Sequence, residues 1–584
     1  MKPKLGQWSP GPGDTTSWRT TVLALILVTL VAGLPLMIGR VLSGHDIVVY
    51  LINAQQTAEN LRAGEIFPAW GGGYNAGFGA PTLIFFPPLT SYLHAIPILL
   101  GVPVIVGVSV WSLIGLWLSG FAMYVWLSSS GFRSNALLAS MVYMVAPYRM
   151  IDLYSRSALA EHWAFVWPPL ILWVATVPGL GSMTRISLVA FSTAALLLSN
   201  IPLATFFGAG LAVWFVVSKQ INGKRAAVLG GAALGFFVAA FALVPQALSS
   251  SLLAVDQYYG PAAGRFRPSA NTLFNGGGIW DFNAQVSTMV VAAFVLVLLS
   301  FVLLPRQTNS EKGAWLVVIA SGLCLVAATK PAGLIWDALP LVSKFQFPWR
   351  IGSLLVFAVA FMVALLDRRR GWLLVSLVVV TSLPFSGWGH TFPAAAFLSP
   401  EPPSPPAGTV FPNPHTAWEA GSGGWYWRHE NLAEIWFLAA NVRPFLLPDL
   451  AGNSAPQLDA IRDRPAVLME DQTIPVRVRF WGSVRREVEV HPSVSGTLLW
   501  RVTRFPEMSV TIDNHPVEVF TDPKTGLLAH PLPAGEHMVE WKWEAFTALS
   551  WAHRVSLTGF LLSIGILLAG VVWSRTASGS SQKA

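Results

Sequence analysis

The chain has 584 residues, of which 53% are hydrophobic and 11% are charged, and its mean hydropathy is +0.55. Ordinary soluble domains carry about 25% charged residues, so the composition excludes that class and predicts a membrane protein with a smaller polar part. The formal net charge of +8 does not indicate a nucleic-acid-binding protein, because the basic residues stand in short segments between apolar runs. The single cysteine, Cys324, excludes an intrachain disulfide and a CxxC metal site.

The N-terminus has the features of an uncleaved membrane anchor. Lys2, Lys4 and Arg19 precede an apolar run over residues 20–38, and no small-residue cleavage site follows it. Because basic residues are retained on the cytoplasmic side, this pattern predicts a signal anchor whose N-terminus lies in the cytoplasm. The residues after the run are therefore expected on the outer side of the membrane.

The first outer loop, residues 41–103, is expected to lie at the membrane without crossing it. Residues 81–101 are apolar but contain four prolines, and we interpret them as a surface or re-entrant segment. Before them, a helix is predicted that is too polar to span and lies on the outer surface of the bilayer, with Gly64 as its stop. The apolar face of that helix would consist of Ile47, Leu51, Ala54, Ala58 and Leu61.

About twelve transmembrane helices are predicted in all. Apolar runs follow one another from residue 104 onwards, and basic residues fall in the turns that this topology assigns to the cytoplasm. The predicted spans lie near residues 20–38, 104–127, 134–147, 163–178, 186–199, 202–218, 226–244, 286–304, 313–328, 351–366, 371–385 and 547–573.

The polar segment before the last span is predicted to be a domain of its own. It opens with a Pro-rich linker, and from about residue 475 apolar and polar residues alternate between turn signals, which is typical of a small antiparallel β-sandwich. The expected fold class is therefore mainly α, a polytopic membrane protein with a C-terminal extracytoplasmic β-sandwich. The predicted parts are a cytoplasmic N-terminus (1–19), a transmembrane domain (20–385), the outer linker and β-sandwich (386–546), the last transmembrane helix (547–573) and a cytoplasmic tail (574–584).

Two polar residues, His45 and Asp46, stand just outside the first apolar run. A carboxylate in that position can work as a general base at the membrane surface, or it can cap the helix that follows it. His45 can contribute to the same site, or it can be an ordinary polar residue of the interface.

A second candidate group lies between residues 148 and 162. Arg149, Asp152 and Arg156 are three and four positions apart, so they would share one face of a helix, with Glu161 off to one side. Charges are costly inside a bilayer, and such a group belongs at an interface or in a polar cavity. It can be part of a site or a structural ladder of ion pairs.

A third candidate is Arg350, at the outer end of a predicted span. Its guanidinium could hold a phosphate by paired hydrogen bonds at the depth of the lipid headgroups. Alternatively, Arg350 and the neighbouring Trp349 could anchor the helix at the interface, as basic and aromatic residues often do.

Several short motifs resemble those of a known group of bacterial membrane proteins. The motifs are Gly44-His45-Asp46, Gly77-Phe78-Gly79-Ala80-Pro81, Ala146-Pro147-Tyr148-Arg149, the stretch from Arg156 to Glu161 and the string Gln346-Phe347-Pro348-Trp349-Arg350. They resemble the pyruvoyl-tetrahydropterin-synthase-related membrane proteins. Near the end of the chain, the stretches 505–513 and 531–537 are similar to the closing sandwich of YfhO-like membrane proteins.

The resemblance implies a membrane glycosyltransferase of GT-C-like architecture. Such enzymes take a sugar from a polyprenyl-phosphate donor, and they use an acidic residue in the first outer loop for the reaction. Asp46 matches the position of that residue. Arg350, with Arg156 or Arg149, would then stabilise the leaving phosphate, and Glu161 would orient an arginine or bind the acceptor. The implied partners are membrane lipids, the lipid-linked donor and an envelope glycan or lipid acceptor, on the outer face of the bacterial cytoplasmic (inner) membrane, with both termini cytoplasmic.

The resemblance names no cofactor other than the donor substrate. A divalent cation is compatible with the chemistry, but the sequence offers no clear set of metal ligands. Two other functions are also compatible with the sequence: a transporter or flippase of a lipid-linked saccharide, and a non-catalytic scaffold that binds envelope glycans.

Overall fold

The structure, a computed structural model, describes residues 18–44, 46–72, 79–132, 134–249, 267–275, 282–304, 308–340, 342–387, 391–393, 467–469, 474, 476–522, 527–544 and 547–580. Most of these residues are helical. The helices are α1 (Trp18–Ala32), α2 (Leu34–Met37), α3 (Ile47–Arg62), α4 (Thr82–Phe85), α5 (Pro88–Leu99), α6 (Val104–Ser129), α7 (Ala136–Val145), α8 (Pro147–Met150), α9 (Leu159–Ala164), α10 (Trp167–Thr176), α11 (Ser182–Ser199), α12 (Ile201–Val217), α13 (Arg225–Val238), α14 (Ala240–Ser249), α15 (Phe282–Val302), α16 (Thr308–Ala327), α17 (Lys330–Ala338), α18 (Gly352–Leu365), α19 (Arg368–Ser382) and α20 (Thr547–Ser580).

Five helical stretches in the described ranges are long and apolar enough to cross a membrane, and there are up to eight if each of three sharply bent helix pairs is one span. The protein is therefore a multi-pass membrane protein, but the prediction of about twelve spans is too high for these residues. The five are Val104–Ser129, Ser182–Ser199, Phe282–Val302, Pro348–Leu365 and Leu549–Trp573.

The overcount arises because several apolar runs form short or broken helices. The run over 20–38 is divided between α1, which ends at Ala32, and the short helix α2, and α10 has 10 residues, whereas a crossing needs about 20. The run over 313–328 continues into α17 through a bend of 75°, and the run over 226–244 is split between α13 and α14 by a bend of 62°. Hydrophobicity alone does not reveal these breaks.

Helix α3 is enclosed by protein, contrary to the prediction that it lies on the surface of the bilayer. Its polar residues Asn53, Gln56, Thr57 and Asn60 are buried, as are most residues of its apolar face. It packs against α5, whose 12 residues are too few to cross a bilayer. As predicted, α3 ends near Gly64, which has a φ of +91°.

The expected C-terminal β-sheet region is confirmed. The strands are β1 (Arg40–Leu42), β2 (Thr391–Pro393), β3 (Val467–Met469), β4 (Val476–Trp481), β5 (Arg485–Val490), β6 (Gly496–Thr503), β7 (Met508–Ile512), β8 (His515–Val517), β9 (Phe520–Thr521), β10 (Leu527–Leu532) and β11 (His537–Trp543). The region has two antiparallel sheets, in the orders β3-β6-β10-β9 and β4-β5-β11-β7-β8. Trp500 of β6 and Trp541 of β11 are buried in one cluster, so both sheets contribute to one core.

The β-sheet region also packs against the segment predicted to be the first outer loop. Trp70 is fully buried, and its ring centroid lies 5.4 Å from that of Trp543 and 6.0 Å from that of Phe505. A second link joins distant parts of the chain, because β1 pairs with β2 in a separate two-stranded sheet. There, Nε of Arg40 donates a hydrogen bond of 2.7 Å to Oγ1 of Thr391. These contacts fix the position of the first outer loop.

An ion pair at a turn of the β-sheet region predicts a pH-dependent stability. Nδ1 of His537 lies 2.7 Å from Oδ2 of Asp513. The hydrogen bond raises the pKa of His537 above 6.5 and lowers that of Asp513 below 3.8. The contribution of His537 to the stability of the fold is fully present below its ordinary pKa and is lost as the pH rises through the raised pKa. The contribution of Asp513 to stability is present above its ordinary pKa of 3.8 and is lost as the pH falls through the lowered pKa.

We therefore expect Asp513→Asn to lower the unfolding temperature at pH 5.5 and to have less effect at pH 9. The change will be small, because exposed pairs contribute about 0.2–1 kcal/mol. Thermal unfolding of the whole protein in detergent measures it, with Glu518→Gln, an exposed carboxylate of the same region, as the control. Equal effects of Asp513→Asn at both pH values would contradict the prediction.

Candidate functional site

The loop that carries Asp46 is held against the segment that carries Arg156. The chain from Ile151 to Arg156 forms a π-helical turn that ends at Ser157, which has a φ of 55°. The amide of Gly44 donates to Oγ of Ser157 at 2.9 Å, and the amide of Asp46 donates to the carbonyl oxygen of Arg156 at 2.8 Å. Two backbone donors therefore fix the loop beside the end of the π-helical turn.

Only glycine fits at position 44. A Cβ atom there would lie 2.4 Å from the carbonyl carbon of Arg156 and 2.5 Å from the amide nitrogen of Ser157. These are backbone atoms, so they cannot give way by a change of rotamer. The close approach of the two segments depends on the missing side chain of Gly44.

We expect Gly44→Ala to loosen this contact, because overpacking costs about 1–3 kcal/mol. Amide exchange over residues 44–46 should become faster by about tenfold, the equivalent of about 1.4 kcal/mol. Hydrogen–deuterium exchange of the protein in nanodiscs measures this. Gly208→Ala is the matched control, because a Cβ atom at Gly208 meets nothing within 4 Å. Exchange as slow in Gly44→Ala as in the control would contradict the prediction.

The side chain of Asp46 does not cap the helix that it precedes. Asp46 occupies the N-cap position of α3, but its carboxylate accepts no hydrogen bond from the first turn. Oδ2 instead lies 3.5 Å from Nη2 of Arg156, and 42% of the side chain is exposed. The capping alternative is therefore wrong, and the carboxylate is both accessible and adjacent to a cation.

Arg156 is buried among carboxylates. Its Nη1 lies 2.6 Å from Oδ1 of Asp152 and 2.9 Å from Oε1 of Glu161, and its Nη2 lies near Asp46. The guanidinium carbon is also 4.9 Å from the centroid of a ring of Trp349. A buried guanidinium is tolerated only with such partners, so its position is closely defined.

Glu161 connects Arg156 to Arg350. The same Oε1 atom lies 2.7 Å from Nε of Arg350, and Oε2 accepts a hydrogen bond of 3.4 Å from the hydroxyl of Tyr148. Glu161 was expected off to one side, but the turn at Ser157 brings it between the two arginines. Asp46, Asp152, Arg156, Glu161 and Arg350 form what we call the charged cluster.

Arg350 keeps part of its guanidinium available. Its Nη1 donates to the carbonyl oxygen of Phe345 at 3.1 Å, and its carbon lies 4.8 Å from the ring centroid of Phe347. Nη2 has no partner among the residues that the structure describes, and 12% of the side chain is exposed. Trp349 does not anchor the helix at the interface as the alternative supposed. It is fully buried, and its Nε1 donates a hydrogen bond of 3.2 Å to Oδ1 of Asn283.

Arg149 lies outside the charged cluster. Its guanidinium donates to the carbonyl oxygen of His162 at 3.0 Å and to Oγ of Ser119 at 3.2 Å, and its carbon is 4.2 Å from the ring centroid of Phe165. The π-helical turn takes more residues per turn than an α-helix, so the expected common face of Arg149, Asp152 and Arg156 is not kept. His45 lies outside the described residues.

The charged cluster contains three carboxylates and two guanidiniums, and Asp46 is its most accessible carboxylate. An accessible carboxylate can accept a proton, and a partly free guanidinium nearby can bind an anion. Asp152 and Glu161 are engaged by arginine, so these residues do not form a set of metal ligands. Among the described residues, Glu489, His491 and Glu536 could together hold a metal ion, but they lie on the β-sheet region.

Comparisons with known proteins give limited similarity. No family model and no curated protein matches the chain. Two cryo-EM structures of the mycobacterial arabinofuranosyltransferase AftD, one of them a mutant, are 16% identical to it over 64% of its length, with TM-scores of 0.39 and 0.40. The chain covers 26% and 28% of those two proteins. Scores of this size establish no common fold, and the resemblance to pyruvoyl-tetrahydropterin-synthase-related and YfhO-like proteins stays a prediction.

Proposed function

We propose that the protein is a membrane glycosyltransferase that moves a sugar from a polyprenyl-phosphate donor to an envelope lipid or glycan acceptor. The observation that carries the proposal is the charged cluster, in which an accessible carboxylate, Asp46, lies beside Arg156, and Glu161 connects Arg156 to Arg350. This combination provides the two groups that the transfer needs, namely a proton acceptor and a partner for a phosphate.

In the proposed reaction, Asp46 accepts the proton of an acceptor hydroxyl. The oxygen of that hydroxyl then forms a bond to the anomeric carbon, and the bond from this carbon to the phosphate oxygen breaks. The electron pair of the broken bond stays on the polyprenyl phosphate. A positioned carboxylate base contributes about 10² to 10⁴ to the rate of such a step.

The leaving phosphate would be bound by Arg350 through its available Nη2. Arg156 would act indirectly, because its hydrogen-bonding groups are engaged by three carboxylates, and it would hold Asp46 in place. Glu161 would position Arg350, since it binds Nε of that guanidinium. Arg149 and His45 remain predicted contributors that these contacts do not test. A divalent cation stays compatible with the chemistry and is equally untested.

The proposed reaction takes place on the outer face of a bacterial cytoplasmic membrane, with both termini in the cytoplasm. In this orientation the β-sheet region is extracytoplasmic. Its contact with the first outer loop through Trp70 supports this arrangement, because both must then lie on the same side as Asp46.

The test is a transfer assay with the purified protein in lipid nanodiscs. A panel of polyprenyl-phosphate sugars is offered together with envelope lipids and glycans as acceptors, and the products are identified by mass spectrometry. Transfer from at least one donor supports the proposal. If no donor yields a product while vesicles that contain the protein move a lipid-linked saccharide across the bilayer, the proposal fails in favour of a transporter.

A further inference from the structure

A cavity lies at the C-terminal end of α3. It has a volume of about 300 Å³ and lies between the end of α3, the end of β11 and the start of α20. We call it the junction cavity. Its lining includes Asn60, Glu65, Phe67, Lys542, Glu544 and His553.

The junction cavity is separate from the charged cluster. Asp46 precedes α3, whereas the cavity begins near its last turn, and the helix has 16 residues. At about 1.5 Å per residue, more than 20 Å of helix separates the two places. A ligand in the cavity therefore does not contact Asp46.

Asn60 borders this cavity and is fully buried. Its Nδ2 donates to the carbonyl oxygens of Gln56 at 2.7 Å and Trp70 at 3.0 Å, which fixes the orientation of the amide. Its Oδ1 is buried and accepts no hydrogen bond within the described ranges. This atom has no exposed surface, so Asn60 shapes the wall of the cavity and does not bond to a ligand in it.

One wall of the cavity is aromatic. The rings of Phe67 and His553 stack with their centroids 4.3 Å apart and their planes inclined by 20°. Both rings are partly exposed, so they offer apolar surface to a ligand. Trp543 also borders the cavity, but it is buried and donates to the carbonyl oxygen of Pro506.

The charged residues of the rim do not favour an anion. Nζ of Lys542 lies 2.8 Å from Oε1 of Glu544, so the charge of this lysine is already balanced. Glu65 is exposed and adds a further carboxylate. The lining thus combines apolar ring surface with hydrogen-bonding groups and lacks a surplus of positive charge among the described residues.

We propose that the junction cavity binds the ring of an uncharged sugar. The ring's C–H groups would lie against the partly exposed rings of Phe67 and His553, and its hydroxyls would bond to Glu65 and Lys542, whose side chains are exposed. The volume is at the lower end of the range of about 300–1,000 Å³ that is usual for small-molecule sites. This inference does not rest on the transfer reaction proposed above.

The test is saturation-transfer NMR of the full-length protein in nanodiscs with neutral methyl glycosides at millimolar concentration. Methyl glucopyranoside, galactopyranoside, mannopyranoside and arabinofuranoside serve as probes, with choline and inorganic phosphate as charged comparisons. We expect at least one glycoside to bind. Lys542→Met and Glu65→Ala should each weaken it by about tenfold, as expected for the loss of a hydrogen bond to a charged group.

Two variants separate this site from other sites. Glu540→Gln lies on the same strand as Lys542 but does not line the cavity, so it should bind like the wild type. Glu518→Gln, an exposed carboxylate of the β-sheet region that does not line the cavity, should also bind like the wild type. The proposal is overturned if no glycoside binds, if choline or phosphate binds in its place, or if glycoside binding is unchanged in the folded Lys542→Met and Glu65→Ala variants.

Discussion

Replacement of Asp46 by asparagine is expected to lower the rate of sugar transfer by about 10² to 10⁴, the contribution of a positioned base. The variant should remain folded, because the side chain is partly exposed and its one described ion pair, to Arg156, is 3.5 Å long. Asp46→Glu keeps a carboxylate and should retain more activity than Asp46→Asn. The transfer assay in nanodiscs, with thermal unfolding as a check of the fold, measures both effects.

Asp367 provides a matched control for this experiment. Like Asp46, it occupies a helix N-cap, but its carboxylate does accept a hydrogen bond, of 3.0 Å, from the amide of Arg370. Asparagine caps helices about as well as aspartate, so Asp367→Asn should leave transfer and stability unchanged. Unchanged transfer in Asp46→Asn would remove Asp46 as the base and leave the proposed mechanism without a proton acceptor.

Replacement of Glu161 by glutamine is expected to destabilise the protein by about 3–5 kcal/mol, the usual cost of breaking a buried ion pair. Glutamine has nearly the same shape but no charge, so Arg156 and Arg350 would lose the carboxylate that they share. Denaturant or thermal unfolding in detergent measures the loss. Because Arg350 would lose its positioning partner, transfer should fall even in the molecules that remain folded.

Glu59 is the control for this substitution. It is largely buried on α3, but its hydrogen bonds come from the side-chain amides of Gln55 and Gln56, and the guanidinium of Arg62 acts on it only as a nearby charge. Glu59→Gln should therefore cost much less stability than Glu161→Gln. In addition, Arg350→Gln should partly relieve the Glu161→Gln defect, since it removes one uncompensated charge. Equal losses of stability in Glu59→Gln and Glu161→Gln would show that the carboxylate shared by the two arginines does not stabilise the cluster.

Parts of the fold could be predicted from the sequence because they depend on local patterns. The long apolar runs near 104–127 and 286–304 correspond to Val104–Ser129 and Phe282–Val302. The alternation of Val488 and Val490 with glutamates predicted the strand Arg485–Val490 and its burial pattern. The polar helix α3 was misplaced, because its polar residues are covered by other protein segments and not by water or headgroups.

The charged cluster could be predicted only in part. The ion pair between Asp152 and Arg156 agrees with their spacing of four residues, which had placed both in the second candidate group. The contact between Glu161 and Arg350 joins residues far apart in the chain, and no local pattern encodes it. The tight fit of Gly44 against Ser157 is equally non-local, since it depends on the tertiary contact itself.

The pairing of β1 with β2 has a consequence for the order in which the protein is assembled. Arg40 and Thr391 are 351 residues apart, so the strand beside the Asp46 loop obtains its partner only after most of the chain has been synthesised. Contacts between such distant residues form late, because a long loop must first be closed at an entropic cost. The early helices would therefore enter the membrane before the site is complete. A ribosome-bound chain that has not yet reached residue 391 would hold the Asp46 loop without this strand partner during its own biogenesis.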